Sequence, residues 1–177
     1  MFAASTATDM FDTVVIATDG SESGRRAVET ALDLAATFGA AVHALYVVDE
    51  SRVDPLPEDV HGEVRDALDE QAEEALAAVE RVAEQRGGFA TTDRANGGGD
   101  PTSSATDGEV TVAVREGRPA DEITRYARDV DADVVATGTR GRNGEHSFLL
   151  GSVAEAVVRT CPVPVLTVRQ LEPGVEA

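Results

Sequence analysis

The sequence alternates short apolar runs with longer stretches of helical periodicity, and this alternation restricts the fold more than any other feature. Apolar runs rich in β-branched residues predict strands at residues 13–18, 41–48, 110–114, 133–137 and 163–168. The stretches between them predict helices at about 23–38, 59–86, 120–130 and 152–160. Strands that alternate with helices form a mostly parallel sheet with helices on both faces. We therefore expect a single α/β domain.

The charge of the chain limits its partners. The 177 residues include 33 acidic and 15 basic ones, for a net charge of −18, and every basic residue is arginine. Such a surface repels nucleic acid and anionic membranes, so we expect neither as a partner. The acidic surface is either an ordinary solvated surface or an adaptation to a high-salt cytoplasm, where salt screens the repulsion. We favour the second interpretation.

Other features of the sequence bear on processing and location. The single cysteine, Cys161, excludes an internal disulfide framework, and we expect it to be a small buried residue. No apolar run reaches the length of a membrane span, and the first residues do not resemble a signal peptide. We expect a cytoplasmic protein with a disordered leader at 1–10, a domain at 11–170 with a flexible insertion at about 95–108, and a tail at 171–177.

The stretch from Gly138 to Ser152, GTRGRNGEHSFLLGS, follows the fourth predicted strand and ends where the last helix is predicted to begin. Glycines allow a bound group to approach the backbone closely. The first turn of a helix presents N–H groups without intrahelical acceptors, at the positive end of the helix dipole. Together these features predict an anion site, which most often binds phosphate.

Alternatives exist for each residue of this stretch taken singly. Each glycine is compatible with an ordinary turn, and Ser152 with an ordinary N-cap. The sequence lacks the lysine that a Walker-type loop requires, and Asp19-Gly-Ser follows the first strand where a dinucleotide-binding protein has G-x-G-x-x-G. A Walker-type NTPase and a dinucleotide-dependent dehydrogenase are therefore excluded.

The spacing G-x2-G-x9-G-S across residues 138–152 matches the ATP-binding signature of universal stress proteins. The sequence resembles that family from Phe11 to Arg169, including T-D-G-S at 18–21, Y-V-V-D at 46–49, E-G-R-P at 116–119 and C-P-V-P-V-L at 161–166. The resemblance implies an open, parallel, five-stranded sheet of order 3-2-1-4-5. This fold is Rossmann-like and similar to the adenine-nucleotide α-hydrolases. Ligands bind where the strand order of such a sheet reverses, here between Asp19 and Gly138.

The resemblance also implies ligand contacts by matching position. The expected ATP-binding residues are Ala17, Asp19 and Val47 around the adenosine, Thr137 and Gly138 along the ribose and phosphates, and Gly141, Gly151, Ser152 and Val153 at the phosphates. A divalent ion, Mg²⁺ or Mn²⁺, is expected to bridge the phosphates. No catalytic residue is assigned.

Several side chains near these positions have a second interpretation. Asp19 is also compatible with a cap on the first helix. Arg140 and Arg142 either pair with phosphates, for which the guanidinium fork is suited, or are solvated loop residues. We expect His146 to be a surface residue and His43, inside an apolar strand, to be a packed residue rather than a ligand.

The sequence and the resemblance together favour an ATP-binding regulatory protein of the stress response, with little or no turnover. No general base or metal-carboxylate set is recognisable over a γ-phosphate. The alternatives are a nucleotide-free dimerisation or interaction module and, less favoured, a nucleotide-hydrolysing or nucleotidyl-transfer enzyme. The prolines of the last strand indicate a sheet edge, and a homodimer through that strand is expected.

Overall fold

The computed structural model describes residues 10–52, 57–87, 89–91, 109–139 and 150–169. Its strands are β1 (Thr13–Ala17), β2 (Ala41–Asp49), β3 (Ala90–Thr91), β4 (Glu109–Gly117), β5 (Val134–Gly138) and β6 (Val165–Val168). Its helices are α1 (Glu22–Phe38), α2 (His61–Arg86), α3 (Pro119–Asp129) and α4 (Ser152–Thr160). Residues 1–9 of the predicted leader, the predicted insertion and the tail lie outside the described residues.

The strands form one sheet of order β3-β4-β2-β1-β5-β6, and each neighbouring pair is parallel. The five predicted strands correspond to β1, β2, β4, β5 and β6, so the order 3-2-1-4-5 is confirmed. The additional strand β3 has two residues and pairs with the start of β4. The prediction that the last strand lies at a sheet edge is also confirmed.

The two faces of the sheet carry separate apolar cores, because successive side chains of a strand point to opposite faces. On β1, Val14 and Ile16 pack with residues of α1 and α2 in one core, whereas Val15 and Ala17 pack with residues of α3 and α4 in the other. The side chains of Val14, Val15 and Ile16 have no solvent exposure. Both faces of the central strand are therefore buried, as its unbroken apolar sequence predicts. Cys161 is only half-buried, at the margin of the second core.

The helix ends follow local capping chemistry. The side chain of Ser21 is the N-cap of α1, and its Oγ accepts a hydrogen bond from the amide of Gly24 at 3.1 Å. The same helix ends at Gly39, whose φ of 71° lies in the left-handed region that glycine tolerates. None of the helices in the described part of the chain is long and apolar enough to cross a membrane.

The carboxylate of Asp133 aligns β1 with β5. Its Oδ2 accepts hydrogen bonds from the amides of Asp12 and Thr13 at 2.8 and 2.9 Å, and the Asp133 amide donates to the Thr13 carbonyl. These contacts join the amino ends of two strands that are far apart in sequence. The resulting register pairs Ala17 with Thr137, so the carboxyl ends of β1 and β5 lie side by side.

Candidate functional site

The carboxyl ends of β1 and β5 form the point where the strand order reverses. β1 pairs with β2 on one side and with β5 on the other, and the Thr18 amide just after β1 donates to the Leu45 carbonyl at 3.0 Å. The chain leaves β1 toward α1, whereas the connection that follows β5 leads to α4 on the opposite face of the sheet. Such a divergence opens a crevice at the carboxyl edge of a parallel sheet.

Gly138 brings the end of β5 against the start of α1. A Cβ atom at this position would lie 2.9 Å from both the carbonyl carbon and the Oγ of Ser23, and 3.0 Å from the amide nitrogen of Gly24. Real side chains do not fit at such distances, since packed carbon atoms lie at about 3.5–4.0 Å. The packing of α1 therefore requires that residue 138 has no side chain, whether or not a ligand binds.

Asp19 lies in the turn between β1 and α1 and organises that turn. Its Oδ1 accepts a hydrogen bond from the Ser21 amide at 3.0 Å, and the Thr18 Oγ1 accepts one from the Gly20 amide at 3.2 Å. Because Ser21 is the N-cap, the interpretation of Asp19 as the helix cap is wrong. A Cβ on Gly24 would lie 3.2 Å from the Asp19 Oδ1, so the carboxylate is close to the first turn of α1.

The start of α4 has a glycine where a side-chain cap normally lies. Gly151 is the N-cap residue, with φ −74° and ψ 160°, and among the described residues no side chain caps this helix. Its carbonyl accepts from the Glu155 amide at 2.8 Å. Ser152 is therefore the first helical residue rather than the N-cap. The amides of Ser152 and Val153 lack intrahelical acceptors, since they belong to the first turn.

Thr139 joins three parts of this edge. Its amide donates to the Val168 carbonyl on β6 at 3.0 Å, and its carbonyl accepts from the Gly151 amide at 2.7 Å. The residue itself directly follows β5. The backbone of this one residue therefore holds the start of α4 beside the ends of β5 and β6. Thr139 Oγ1 is buried and has no hydrogen-bond partner within the part of the chain that the structure describes.

A model of the universal stress protein family matches residues 10–169. The chain belongs to this family. It is 34% identical over 163 residues to universal stress protein MJ0531 of Methanocaldococcus jannaschii, across 92% of this chain and 84% of that protein.

Solved universal stress proteins share the fold. The UspA protein of Lactobacillus plantarum superposes with a TM-score of 0.70 at 22% identity, across 89% of this chain and 97% of that one. A universal stress protein in complex with cAMP has a TM-score of 0.56 at 24% identity, across 90% and 97% of the two chains. The universal stress protein of Archaeoglobus fulgidus in complex with dAMP has a TM-score of 0.52 at 20% identity, across 90% and 98%.

In this universal stress protein, the sequence-predicted residues of β1 and β5 converge. Ala17 and Thr137 are register partners and both are buried, at 7% exposure. Asp19 and Gly138 both approach the first turn of α1, at Gly24. These four positions therefore line one edge.

The remaining predicted residues lie near the end of β2, at the start of α4 or outside the described residues. Val47 is half-buried near the end of β2 and packs against the core under α3 and α4. Gly151, Ser152 and Val153 form the start of α4, where Ser152 is exposed and Val153 is 38% exposed. Gly141 lies outside the described residues, as do Arg140, Arg142 and His146.

The sequence alone did not identify Ser21, Gly24 and Thr139 as residues of this edge. The Ser21 cap has a recognisable signal, because serine directly before a helical stretch is a common N-cap. Thr139 and the approach of Gly24 to Gly138 have no such signal, since these contacts join segments that are distant in sequence. Within the described ranges, no three His, Cys, Asp or Glu residues cluster as a metal site.

Proposed function

We propose that this universal stress protein binds ATP at the carboxyl edge of β1 and β5. The observation that carries the proposal is the junction at Thr139, which holds the start of α4 beside the ends of β5 and β6. The first-turn amides of α4 and the positive end of its dipole are suited to the phosphates. The adenosine would then lie toward Asp19 and Val47, at the ends of β1 and β2.

The named side chains supply complementary chemistry for the ligand. Asp19 accepts hydrogen bonds from ribose hydroxyls, and Val47 with Ala17 offers apolar contact to the adenine ring. The exposed hydroxyl of Ser152 donates a hydrogen bond to a phosphate oxygen. Gly151 has no side chain that would crowd the first-turn amides. The cAMP and dAMP complexes of proteins with this fold support an adenine nucleotide as the ligand class. The glycine spacing of residues 138–152 favours a triphosphate.

A divalent cation would be held mainly by the phosphates. Asp19 can contribute one carboxylate oxygen, and Mg²⁺ commonly combines one or two carboxylates with substrate phosphates and water. We infer a regulatory role without efficient hydrolysis, because the described residues of the site include no side chain recognisable as a general base. We also infer that this protein works in a high-salt cytoplasm, where a net charge of −18 is well screened.

Calorimetric titration of ATP, with and without Mg²⁺, tests the proposed site. We expect micromolar affinity for the wild type and about tenfold weaker binding for Ser152→Ala, because a hydrogen bond to a charged oxygen is lost. For Gly151→Val we expect a larger loss, since a branched side chain would stand beside the amides that bind phosphate.

Two control substitutions match these variants away from the site. Thr160→Ala removes a hydroxyl at the opposite end of α4. Gly62→Ala adds a methyl group on α2 that meets nothing within 4 Å beyond its own helix turn. Both are expected to keep wild-type affinity. Unchanged affinity in Ser152→Ala and Gly151→Val together would remove the start of α4 from the site. Rapid release of ADP would instead favour an enzyme.

We also propose that two chains pair through β6. The carbonyls of Pro164 and Val168 accept hydrogen bonds from the β5 side, so their peptide groups face β5. Backbone N–H and C=O groups point to alternate sides from one residue to the next along a strand. The N–H and C=O groups of Val165 and Thr167 therefore face outward at the sheet edge. A second β6 is a suitable partner for that edge.

Light scattering after gel filtration tests the pairing. Thr167→Pro removes an outward amide and is expected to convert a dimer to a monomer, since proline cannot donate a ladder hydrogen bond. Thr167→Val keeps the amide and a similar side-chain volume, so it should remain dimeric. A monomeric wild type, or a dimeric proline variant, would contradict pairing through β6.

A further inference from the structure

A buried polar pair lies between the sheet and α3, apart from the proposed nucleotide site. The Nδ1 atom of His43 on β2 lies 3.1 Å from the hydroxyl of Tyr126 on α3. His43 is 4% exposed and Tyr126 is 3% exposed. The two rings also meet edge to face, with centroids 5.9 Å apart. The pair therefore connects the second half of α3 to β2 of the sheet.

The surroundings of this pair disfavour a positive charge on His43. Its register partners are Val15 on β1 and Thr111 on β4, and the core under α3 and α4 is built mainly of apolar side chains. Thr124 and Glu122 of α3 are also buried. From β4, the guanidinium carbon of Arg115 lies 5.3 Å from the centroid of the Tyr126 ring, so one cation is already present. The acidic groups that act on the pair are Glu109 on β4, whose charge acts on His43, and Asp129 on α3, whose charge acts on Tyr126.

We propose that the His43–Tyr126 pair is a pH-sensitive latch, which holds α3 on the sheet when the imidazole is neutral and loosens when it is protonated. In the neutral tautomer that leaves Nδ1 without a proton, Nδ1 accepts from the tyrosine hydroxyl. In a protonated imidazole Nδ1 is a donor, so the bond must reverse and the tyrosine proton must turn to another acceptor. Protonation also places an unscreened charge in an apolar layer. The loosening is expected to reach α4, because Thr124 on α3 lies 3.4 Å, Oγ1 to Oγ1, from Thr160 on α4.

The direction of the pH dependence follows from the environment of His43. Burial lowers the pKa of His43 from its usual 6.5, and the negative charge of Glu109 opposes this only in part. Between pH 6.5 and the lower pKa of the folded protein, the unfolded chain is protonated at His43 and the folded protein is not. The contribution of the pair is therefore complete above pH 6.5 and decreases as the pH falls through that range.

Urea unfolding at constant ionic strength, from pH 7.5 to 4.5, gives the first test. In the wild type, protonation of His43 in the unfolded chain is expected to raise the unfolding equilibrium constant. The increase is up to about tenfold for each pH unit by which the pH falls below 6.5. His43→Gln, which cannot be protonated, should lose this part of the slope. His61→Gln, at the start of α2 on the opposite face, is the matched control and should keep it. An equal slope in the wild type and His43→Gln would overturn the proposal.

Hydrogen exchange and NMR give a second test that does not depend on a variant. After correction for intrinsic rates, amide protection in α3 should fall more than in α2 between pH 7.0 and 5.0. The wild-type imidazole of His43 should titrate below 6.5. A titration midpoint at or above 6.5, or equal losses of protection in α2 and α3, would contradict a latch at this position.

Discussion

Gly138→Val is expected to lower the free energy of unfolding by about 3 kcal/mol, at the upper end of typical overpacking costs. The added Cβ would begin 2.9 Å from the carbonyl carbon of Ser23 and 3.0 Å from the amide nitrogen of Gly24. Backbone atoms in the first turn of a helix cannot move aside as the end of a flexible side chain can. Relief therefore requires α1 to shift away from β5.

The same shift is expected to weaken ATP binding more than tenfold, because it separates the Asp19 turn from the start of α4. Urea denaturation measures the stability and calorimetric titration measures the affinity. Gly62→Ala serves as the control for stability, because its added methyl group meets nothing within 4 Å. A Gly138→Val protein within about 0.5 kcal/mol of the wild type, the usual range of a neutral surface change, would contradict the close packing.

Leu45→Ala is expected to lower the free energy of unfolding by about 2–5 kcal/mol, the range for large-to-small substitutions in a core. The Leu45 side chain has no solvent exposure and lies in the core under α3 and α4. Its removal leaves a cavity between β2 and these helices, and close-packed neighbours only partly fill it. The backbone hydrogen bond from Thr18 to the Leu45 carbonyl remains available, so the loss reports on packing.

Thermal and urea unfolding of Leu45→Ala, compared with Val158→Ala, measure this effect. Val158 is on α4 and is 50% exposed, so its truncation is expected to change stability by less than about 0.5 kcal/mol. Equal stability changes in the two variants would show that the core under α3 and α4 is not packed as described. Because Leu45 does not belong to the proposed site, ATP affinity in the folded Leu45→Ala protein should remain close to the wild-type value.

Much of the architecture was predictable because its signals are local. The apolar run at 13–18 and the helical spacing that follows it report their own secondary structure. The end of α1 at Gly39 has a similar origin, since only the local backbone decides where glycine is favoured. The boundaries of β4 were less predictable. The sequence predicted a strand at 110–114 followed by the turn at 116–119, yet β4 extends to Gly117 because it pairs with β2 as far as Asp49.

The features of the candidate site also fall into two groups, those with a local sequence signal and those set by long-range contacts. By itself, the sequence determined the alternation of strands and helices, the glycine spacing before α4 and the polar turn after β1, since each depends on neighbouring residues. Only the tertiary structure decided that Gly138 packs against Ser23, and that Thr139 joins the start of α4 to β6. These contacts connect segments far apart in the chain. Their geometry depends on strand register and helix packing, which no local pattern records.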